Sequence, residues 1–413
     1  MTVTPHSTPT RAATARAGAR PGLRARVAAW VDARRVHGWT REATALTVLT
    51  AALLLVGLVM SFSASFVDAA EGGDPFGVFR RQLVWAALGI PVFVFAASLD
   101  HRVWRGLSWP MMAVSLVGLI VVLVPGIGVT VYGSTRWIGL GPFVVQPSEL
   151  AKIATVLWLA DVIARKRRDD RELTLSHLLV PALPLLGLQS LLVMLEPDLG
   201  TTILLAVIVA LVLWIEGIPM RLVGTGLALG GVLVAAATVA APYRMARISG
   251  WLHPEADPQG AGFQLLQGLF ALGSGGWFGL GLGSSRGKWN YIPNPETDFI
   301  FAIIGEELGL VGALATLALF GALLVVGLHV AGTVRDRFGR TVAFVVTAWL
   351  VGQAMLNIGT VTGLLPITGV TLPLVSVGGS SLVSTLLALG ILVAIARRGD
   401  TSDDLDPTPV RPV

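Results

Sequence analysis

The chain has 413 residues, of which 54% are hydrophobic and only 13% charged, and its formal net charge at pH 7 is +5. This composition is far from that of soluble globular proteins and indicates a protein with several membrane spans. The absence of cysteine excludes disulfides and thiolate metal sites, and no two of the six histidines have the spacing of metal ligands on a helix. We therefore expect no histidine-based metal centre.

The chain begins with residues 1–42, a segment rich in Ala, Arg and Thr that lacks the apolar core of a secretory signal. We interpret it as a disordered basic tail near anionic lipid headgroups. Residues 43–398 are the predicted membrane domain, and residues 399–413 a second disordered tail. The expected fold is all-α: a polytopic membrane protein with about ten transmembrane helices and one large extracytoplasmic loop. The predicted spans are 43–65, 82–98, 108–126, 147–164, 176–195, 199–215, 220–241, 299–327, 341–363 and 372–396.

The distribution of positive charge predicts the orientation of these spans. The tails and alternate loops hold 22 of the thirty Lys and Arg residues, whereas the opposite loops hold seven. By the positive-inside rule, both termini are cytoplasmic. The net positive charge is thus explained by membrane orientation, and it does not indicate nucleic-acid binding.

Four clusters of polar residues lie at the outer ends of the predicted spans. Each has a structural explanation of its own, such as a helix start at Pro147 or an N-cap at Asp198. Together, however, they place acids, bases and small polar groups around one potential cavity, where ionisable residues of membrane proteins usually face. The candidate substrate-binding residues of these clusters are Arg136, Gln146, Ser148, Glu149, Lys152, Glu196, Asp198, Arg244, Arg247, Ser376, Gly378, Gly379 and Ser380.

One outer segment, residues 242–298, is much longer than the other loops, and such loops are often functional. Its stretch "GFQLLQGLFAL" predicts either an amphipathic helix on the outer leaflet or an ordinary buried helix. The glycine-rich stretch that follows matches neither a P-loop nor a dinucleotide-binding fingerprint, because glycines are missing at the required positions. Its glycines instead permit close backbone approach to a headgroup or a partner.

The stretch "PNPETDFIFAIIGEELGL" places three carboxylates, Asp298, Glu306 and Glu307, at the start of and inside an apolar run. If the helix begins near Asp298, Glu306 lies about 12 Å deeper, so it cannot contact the same substrate hydroxyl. At most one of the two glutamates lines a cavity beneath Asp298. We expect a buried partner such as Lys152 for one of them, with protonation in place as the alternative.

Several long motifs resemble those of the SEDS family of bacterial cell-wall proteins, over about residues 43–398. Within this family (FtsW, RodA and SpoVE), the chain looks closer to the division proteins than to the elongation proteins, and it resembles the actinobacterial FtsW proteins in particular. The motifs that carry the resemblance are "RWIGLGPFVVQPSELAK", "EPDLGTT", "KWNYIPNPETDFIFAIIGEELGLVG" and "NIGTVTGLLPITGVTLPLVSVGGSS".

The resemblance implies a ten-span peptidoglycan glycosyltransferase that polymerises lipid II, with inversion, into β-1,4-linked strands at the outer face of the bacterial cytoplasmic membrane. It implies septal wall synthesis and a complex with a class B penicillin-binding protein, the transpeptidase, and with other division proteins. Membrane lipids around the spans are further expected partners, and no nucleic acid is expected.

The resemblance also assigns the catalytic acid of the family to Asp298. Two residues depart from the family pattern, because Glu296 replaces the usual histidine and Val377 the usual tyrosine. Glu296 and Thr297 are then candidate polar contacts in the site. The transfer needs a base for the attacking sugar hydroxyl and cations for the leaving diphosphate. Candidate cations are Arg136, Lys152, Arg244, Arg247 and Lys288; the residues leave open a divalent ion, Mg²⁺ or Mn²⁺, between carboxylate and diphosphate.

Three other functions are compatible with ten spans and intramembrane charges. A lipid II flippase or transporter usually shows internal repeats with broken helices near the midplane, and the sequence shows no such repeat. A non-catalytic scaffold would not require the retained acid. An elongation-type polymerase would carry out the same chemistry as a division-type one, so the sequence does not separate these two roles firmly.

Overall fold

The computed structural model describes residues 38–71, 74, 76–131, 134–141, 143–166, 182–239, 241–285 and 295–398. Nearly all of the two predicted tails therefore lies outside the described residues. The helices and strands, in chain order, are α1 (Arg41–Glu71), α2 (Gly77–Ser98), α3 (His101–Val122), β1 (Gly128–Val131), β2 (Ser134–Leu140), β3 (Phe143–Val145), α4 (Pro147–Lys166), α5 (Ala182–Leu195), α6 (Leu199–Ile215), α7 (Met220–Val239), α8 (Pro242–Leu252), α9 (Phe263–Ser274), α10 (Ile300–Thr333), α11 (Arg337–Val361) and α12 (Gly379–Arg398).

Ten of these helices, α1–α7 and α10–α12, each overlap one predicted span, so the all-α membrane fold is confirmed. Within the described residues, six helices are long and apolar enough to cross a membrane: Arg41–Ser65, Gly77–Ser98, His101–Val122, Ile300–Thr333, Arg337–Val361 and Gly379–Arg397. Three more are shorter apolar helices: Ala182–Leu195, Leu199–Ile215 and Met220–Ala236.

Helix α4 is the remaining one of the ten helices that overlap predicted spans, and it differs from the others in composition and position. It carries Glu149, Lys152 and Asp161 within its first fifteen residues, so it holds more charged residues than an ordinary span. Yet nearly every residue from Pro147 to Ala164 is buried. The charged side chains are tolerated because α4 is surrounded by α3, α6 and α11 and therefore contacts protein, which supplies ionic and hydrogen-bonding partners.

The hydrophobic core joins the helices around α4. One cluster of buried side chains contains Leu119 of α3, Ala151 of α4, Leu192 and Val193 of α5, and Leu205 of α6. Elsewhere α2 packs along α12, and α10 packs against α1 and α11. The N-terminal end of α4, which carries one of the predicted polar clusters, is thus held by packing on several sides.

A small antiparallel sheet with the order β1-β2-β3 lies between α3 and α4, and the sequence analysis did not predict it. Val129 of β1 pairs with Trp137 of β2, and Ile138 of β2 pairs with Val145 of β3. Each strand is short and lies outside the apolar spans, so only the pairing of the strands makes the sheet recognisable. The sheet places Arg136 on its central strand.

The long outer segment contains α8, a 3₁₀ turn (Pro254–Ala256), α9 and the glycine loop, which we define as residues 275–285. The predicted helix "GFQLLQGLFAL" is confirmed as α9. This helix buries Leu265, Gly268 and Ala271 but leaves Phe270 exposed, so it is only half-buried. Contacts with α10 account for its buried face.

Candidate active site

Asp298 lies in the turn that leads into α10, and its side chain is partly buried. The hydroxyl of Thr297 donates a hydrogen bond of 3.1 Å to Asp298 Oδ1. The N-cap of α10 is Phe299, and the helix start has no side-chain capping bond. Asp298 is therefore not used as the cap of the helix, and its carboxylate is available for other contacts.

The backbone around Asp298 is fixed by Asn357 of α11. The Asn357 amide donates to the carbonyl of Asp298 at 2.7 Å and to the carbonyl of Val370 at 2.8 Å. A buried amide that bonds two chain segments in this way holds them at a fixed separation. Asn357 was not among the predicted site residues, although an amide side chain within an apolar span is a signal of a polar contact.

The electrostatic environment of Asp298 contains opposing influences. Burial raises the pKa of Asp298, and this effect exceeds the lowering by a backbone hydrogen bond, by Thr297 and by the positive charge of Arg247. Arg247 itself is exposed on α8, whereas Arg244, one turn earlier, is half-buried. The site thus combines a carboxylate of raised proton affinity with a nearby cation.

The segment before α12 packs directly beside Asp298. The backbone N–H of Val377 donates to the carbonyl of Glu296 at 2.9 Å. Gln82 of α2, a buried side chain that the sequence analysis missed, bonds the backbones of Ser376 and Gly378 at 3.4 and 3.3 Å. We call residues 376–380, the end of this segment and the first two residues of α12, the strap; it is therefore anchored both to α2 and to the Asp298 segment.

Two further predicted residues of this strap have clear structural roles. A Cβ atom on Gly379 would overlap the indole ring of Trp85, so the close approach of α12 to α2 requires glycine there. The hydroxyl of Ser380 accepts a hydrogen bond of 3.2 Å from the backbone N–H of Gln146. The strap thus also contacts the start of α4.

The start of α4 is joined to the turn between α5 and α6 by a polar network. Gln146 donates to the hydroxyl of Ser148 at 3.0 Å and to Asp198 Oδ2 at 3.1 Å. Asp198 also accepts from the backbone N–H of Thr201 at 3.0 Å, which confirms its predicted capping of α6. Arg136 completes the network, with its Nη1 atom 3.8 Å from Asp198 Oδ1.

Arg136 and Glu196 meet through backbone rather than through a side-chain ion pair. Arg136 Nε donates to the carbonyl of Glu196 at 3.2 Å, and its Nη2 donates to the carbonyl of Pro197. Both carboxylate oxygens of Glu196 are buried and have no hydrogen-bond partner among the described residues. Burial, and then the charge of Asp198, raise the pKa of Glu196 to about 8 against the opposing effect of Arg136.

We predict that the wild-type protein loses stability relative to Glu196→Gln as the pH rises from about 5 to about 8. The folded state keeps the proton of Glu196 up to about pH 8, whereas an unfolded chain releases it near its ordinary pKa of about 4.3. The free energy of unfolding should therefore fall by up to about 1.4 kcal/mol for each pH unit in this window. Thermal unfolding of both proteins in one detergent measures the difference; parallel pH dependence would contradict the assignment.

Lys152 lies deeper in the bundle, and its contacts correct one sequence expectation. Its Nζ atom is 2.9 Å from Glu149 Oε2 and 3.4 Å from Gln353 Oε1, and it lies 5.1 Å from the centre of the Trp349 ring. The expected pairing of Lys152 with Glu306 or Glu307 is therefore wrong. Glu149, three residues before Lys152 on the same helix, is its ionic partner instead, because residues three apart on a helix face one another.

Glu306 and Glu307 are both almost fully buried, and serine residues bind their carboxylates. The hydroxyl of Ser285 donates to Glu306, and the hydroxyl of Ser63 on α1 donates to Glu307 at 2.6 and 2.8 Å. Ser285 belongs to the glycine loop. Glu306 thus contacts this loop directly, and Glu307 is linked to it through Ser63 of α1. The last predicted cation, Lys288, lies outside the described residues.

No group of three or more His, Asp or Glu side chains that could hold a metal ion occurs in the described part of the chain. The described residues therefore do not form a protein-only site for Mg²⁺ or Mn²⁺, ions that bind mainly through several oxygen ligands. Such an ion would depend on oxygens of the substrate diphosphate.

Comparison with known proteins gives consistent similarities over almost the whole membrane domain. Residues 44–400 match the family model FTSW_RODA_SPOVE, described as cell cycle protein. The chain is 40% identical to stage V sporulation protein E of Bacillus subtilis, over 85% of this chain and 96% of that protein. It is 41% identical to the probable peptidoglycan glycosyltransferase FtsW of Mycobacterium tuberculosis, over 85% of this chain and 67% of that protein.

Solved structures show the same similarity in three dimensions. A chain of a peptidoglycan synthase complex, studied for its coordination of polymerization and crosslinking, superposes with a TM-score of 0.69 and 32% identity. The alignment covers 85% of this chain and 96% of that one. The rod shape determining protein RodA of Thermus thermophilus gives a TM-score of 0.63 at 28% identity, over 85% of this chain and 95% of that chain.

Proposed function

The chain belongs to the FtsW/RodA/SpoVE family of cell cycle proteins, and we propose that it polymerises lipid II at the outer face of the cytoplasmic membrane with Asp298 as the base. It is a peptidoglycan glycosyltransferase, as the names of its FtsW relatives and the synthase complex indicate. The observation that carries the proposal is a carboxylate of raised proton affinity at the start of α10. Its backbone is fixed by Asn357, and a cation lies nearby.

In the proposed reaction a sugar 4-hydroxyl attacks the anomeric carbon of a second, lipid-linked sugar. Asp298 takes the hydroxyl proton as the new carbon–oxygen bond forms. The bond from the anomeric carbon to the diphosphate oxygen breaks, and the polyprenyl diphosphate leaves with the electron pair. Attack from the face opposite the leaving group inverts the anomeric centre and gives a β-1,4 linkage.

Cations complete the proposed site, because the diphosphate leaves more readily when its charge is offset. Arg247 is the best-placed candidate, since its charge already acts on Asp298 and its side chain is exposed. Arg244 and Lys288 are further candidates on the same outer segment. Arg136 is bonded to the turn between α5 and α6, and Lys152 is paired with Glu149, so both support the site rather than bind diphosphate.

For the cellular role, we propose septal wall synthesis in division, with a class B penicillin-binding protein and other division proteins as partners. The FtsW names of the relatives and the likeness to a chain of a peptidoglycan synthase complex support this assignment. Both termini are proposed to be cytoplasmic, because 22 of the thirty Lys and Arg residues lie in the tails and in the alternate loops on the same side as the tails. The proposed domain boundaries follow the spans: two tails, 1–42 and 399–413, and a membrane domain, 43–398.

Reconstitution with labelled lipid II tests the proposed function. The protein is placed in liposomes, with and without a class B penicillin-binding protein, and both glycan polymer and lipid translocation are measured. We expect polymer, formed with release of polyprenyl diphosphate. Translocation without polymer under both conditions would overturn the proposal in favour of a flippase. The absence of both polymer and translocation would favour a scaffold.

Replacing Arg247 by Gln should shift the acidic limb of the pH–rate profile to higher pH. The positive charge of Arg247 lowers the pKa of Asp298, so its loss raises that pKa further. The base acts only when deprotonated, and activity at mildly acidic pH therefore falls. Initial polymerisation rates against pH measure the limb. The matched control is Arg244→Gln, one helical turn earlier, which should leave the limb in place; an equal shift in both variants would contradict the assignment.

A further inference from the structure

Helix α10 is interrupted at Gly309, and the glycine loop occupies the interruption. Gly309 has φ 69° and ψ −166°, a conformation that is strained for any residue with a side chain. Beyond the break, the backbone N–H groups of Leu310 and Val311 donate to the carbonyls of Gly276 and Trp277, at 2.9 and 3.2 Å. The loop thus supplies acceptors that an uninterrupted helix would supply itself.

The same exchange occurs on the other side of the break. In a continuous helix the carbonyls of Glu306 and Glu307 would accept hydrogen bonds from residues four positions later. They accept instead from the N–H groups of Leu280 and Gly281, at 2.9 and 3.1 Å. Four backbone hydrogen bonds therefore join the glycine loop to α10. Withdrawal of the loop would let the two halves of α10 pair with each other.

The side chains of the two glutamates hold the far end of the loop. Glu307 accepts from the Ser63 hydroxyl and, at 3.3 Å, from the backbone N–H of Ser285. Glu306 accepts from the Ser285 hydroxyl, and Ser63 also accepts from the backbone N–H of Gly283 at 3.2 Å. These hydrogen bonds lie in a water-poor environment, where a hydrogen bond is stronger than in water. We call this set the serine–glutamate clamp.

The clamp holds the half of α10 from which the Asp298 turn extends. Asp298 lies two residues before the first residue of α10, and Glu306 and Glu307 lie in the same half of the helix, before the break at Gly309. The backbone carbonyls of the two glutamates and the clamp join this half to the glycine loop. Without these bonds the half-helix and the turn that it carries would be free to move, and Asp298 would be less well placed for reaction.

We propose that Glu306 and Glu307 are positioning residues, which clamp the glycine loop into the break of α10 and so hold the Asp298 segment in its reactive geometry. This inference rests on the proposed role of Asp298 as the base. It assigns neither glutamate to contact with the substrate. It also gives a role to two adjacent carboxylates deep inside a helix that is mostly apolar.

Gly309→Ala tests the inference, because a Cβ atom there would overlap the backbone of Gly279 and Trp277. The variant should favour a continuous helix and displace the loop. Hydrogen exchange of the full-length protein should show faster exchange in the glycine loop but not in α11. With lipid II, kcat should fall at least about tenfold while KM changes by less than about threefold. The matched control is Gly321→Ala in the same helix, where a Cβ meets no atom within 4 Å.

Glu307 variants provide a second test that does not depend on the folding of Gly309→Ala. Glu307→Gln keeps an acceptor for Ser63, so it should retain more activity and more loop protection than Glu307→Ala. Unchanged loop protection in Gly309→Ala and Glu307→Ala, or lost protection with unchanged kcat, would overturn the inference. Absence of polymer from the wild type would instead contradict the proposed function, and hydrogen exchange would still report on the clamp.

Discussion

Asp298→Asn should reduce lipid II polymerisation by about 10²- to 10⁴-fold, the usual contribution of a general base. The amide cannot accept the hydroxyl proton, although its oxygen can still accept the hydrogen bond from Thr297. The bond from Asn357 reaches the backbone carbonyl and does not depend on the side chain at position 298. We therefore expect a folded protein with unchanged thermal unfolding and almost no polymer in the liposome assay.

The matched control for this variant is Glu255→Gln, which removes an exposed acid from the same outer segment. Its activity should equal that of the wild type, because Glu255 lies outside the proposed site. Polymerisation by Asp298→Asn at the wild-type rate would show that another group accepts the proton. Loss of activity in both variants would indicate a general requirement for negative charge on this surface.

Lys152→Met should destabilise the protein by about 3–5 kcal/mol, the cost of leaving one charge of a buried pair uncompensated. Lys152 is almost fully buried, and its removal would leave the Glu149 carboxylate without its cation. It would also remove the contact with the Trp349 ring. Thermal unfolding in detergent measures the loss, and polymerisation should fall with the folded fraction.

A double-mutant cycle identifies the partner of Lys152. The double variant Glu149→Leu/Lys152→Met should be more stable than the sum of the single losses predicts, by about 0.5–3 kcal/mol, because neither charge remains buried alone. The control pair, Lys152→Met with Glu306→Gln, should be additive, since Glu306 bonds to Ser285 instead. Coupling of Lys152 to Glu306 and not to Glu149 would contradict the structure.

The outer polar clusters show how far local patterns predict a site. The cap at Asp198 and the start of α4 at Pro147 are confirmed, because each depends on residues within one helical turn. The role of Asp298 stays a prediction based on its motif. The buried residues Gln82 and Asn357 were missed: an amide in an apolar span signals a polar contact, but its partners are known only once the carbonyls that it binds are placed beside it.

The ten helices could be read from the sequence because a membrane span must satisfy its backbone hydrogen bonds internally over a fixed thickness, which makes it a local and repetitive pattern. The orientation prediction uses a similarly local count of charges. The tertiary structure alone decided the partner of Glu306, which is Ser285 of the glycine loop and not Lys152. It alone placed the glycine loop in the break at Gly309. Those choices depend on contacts between segments far apart in the chain, and composition and periodicity do not encode the distance between them.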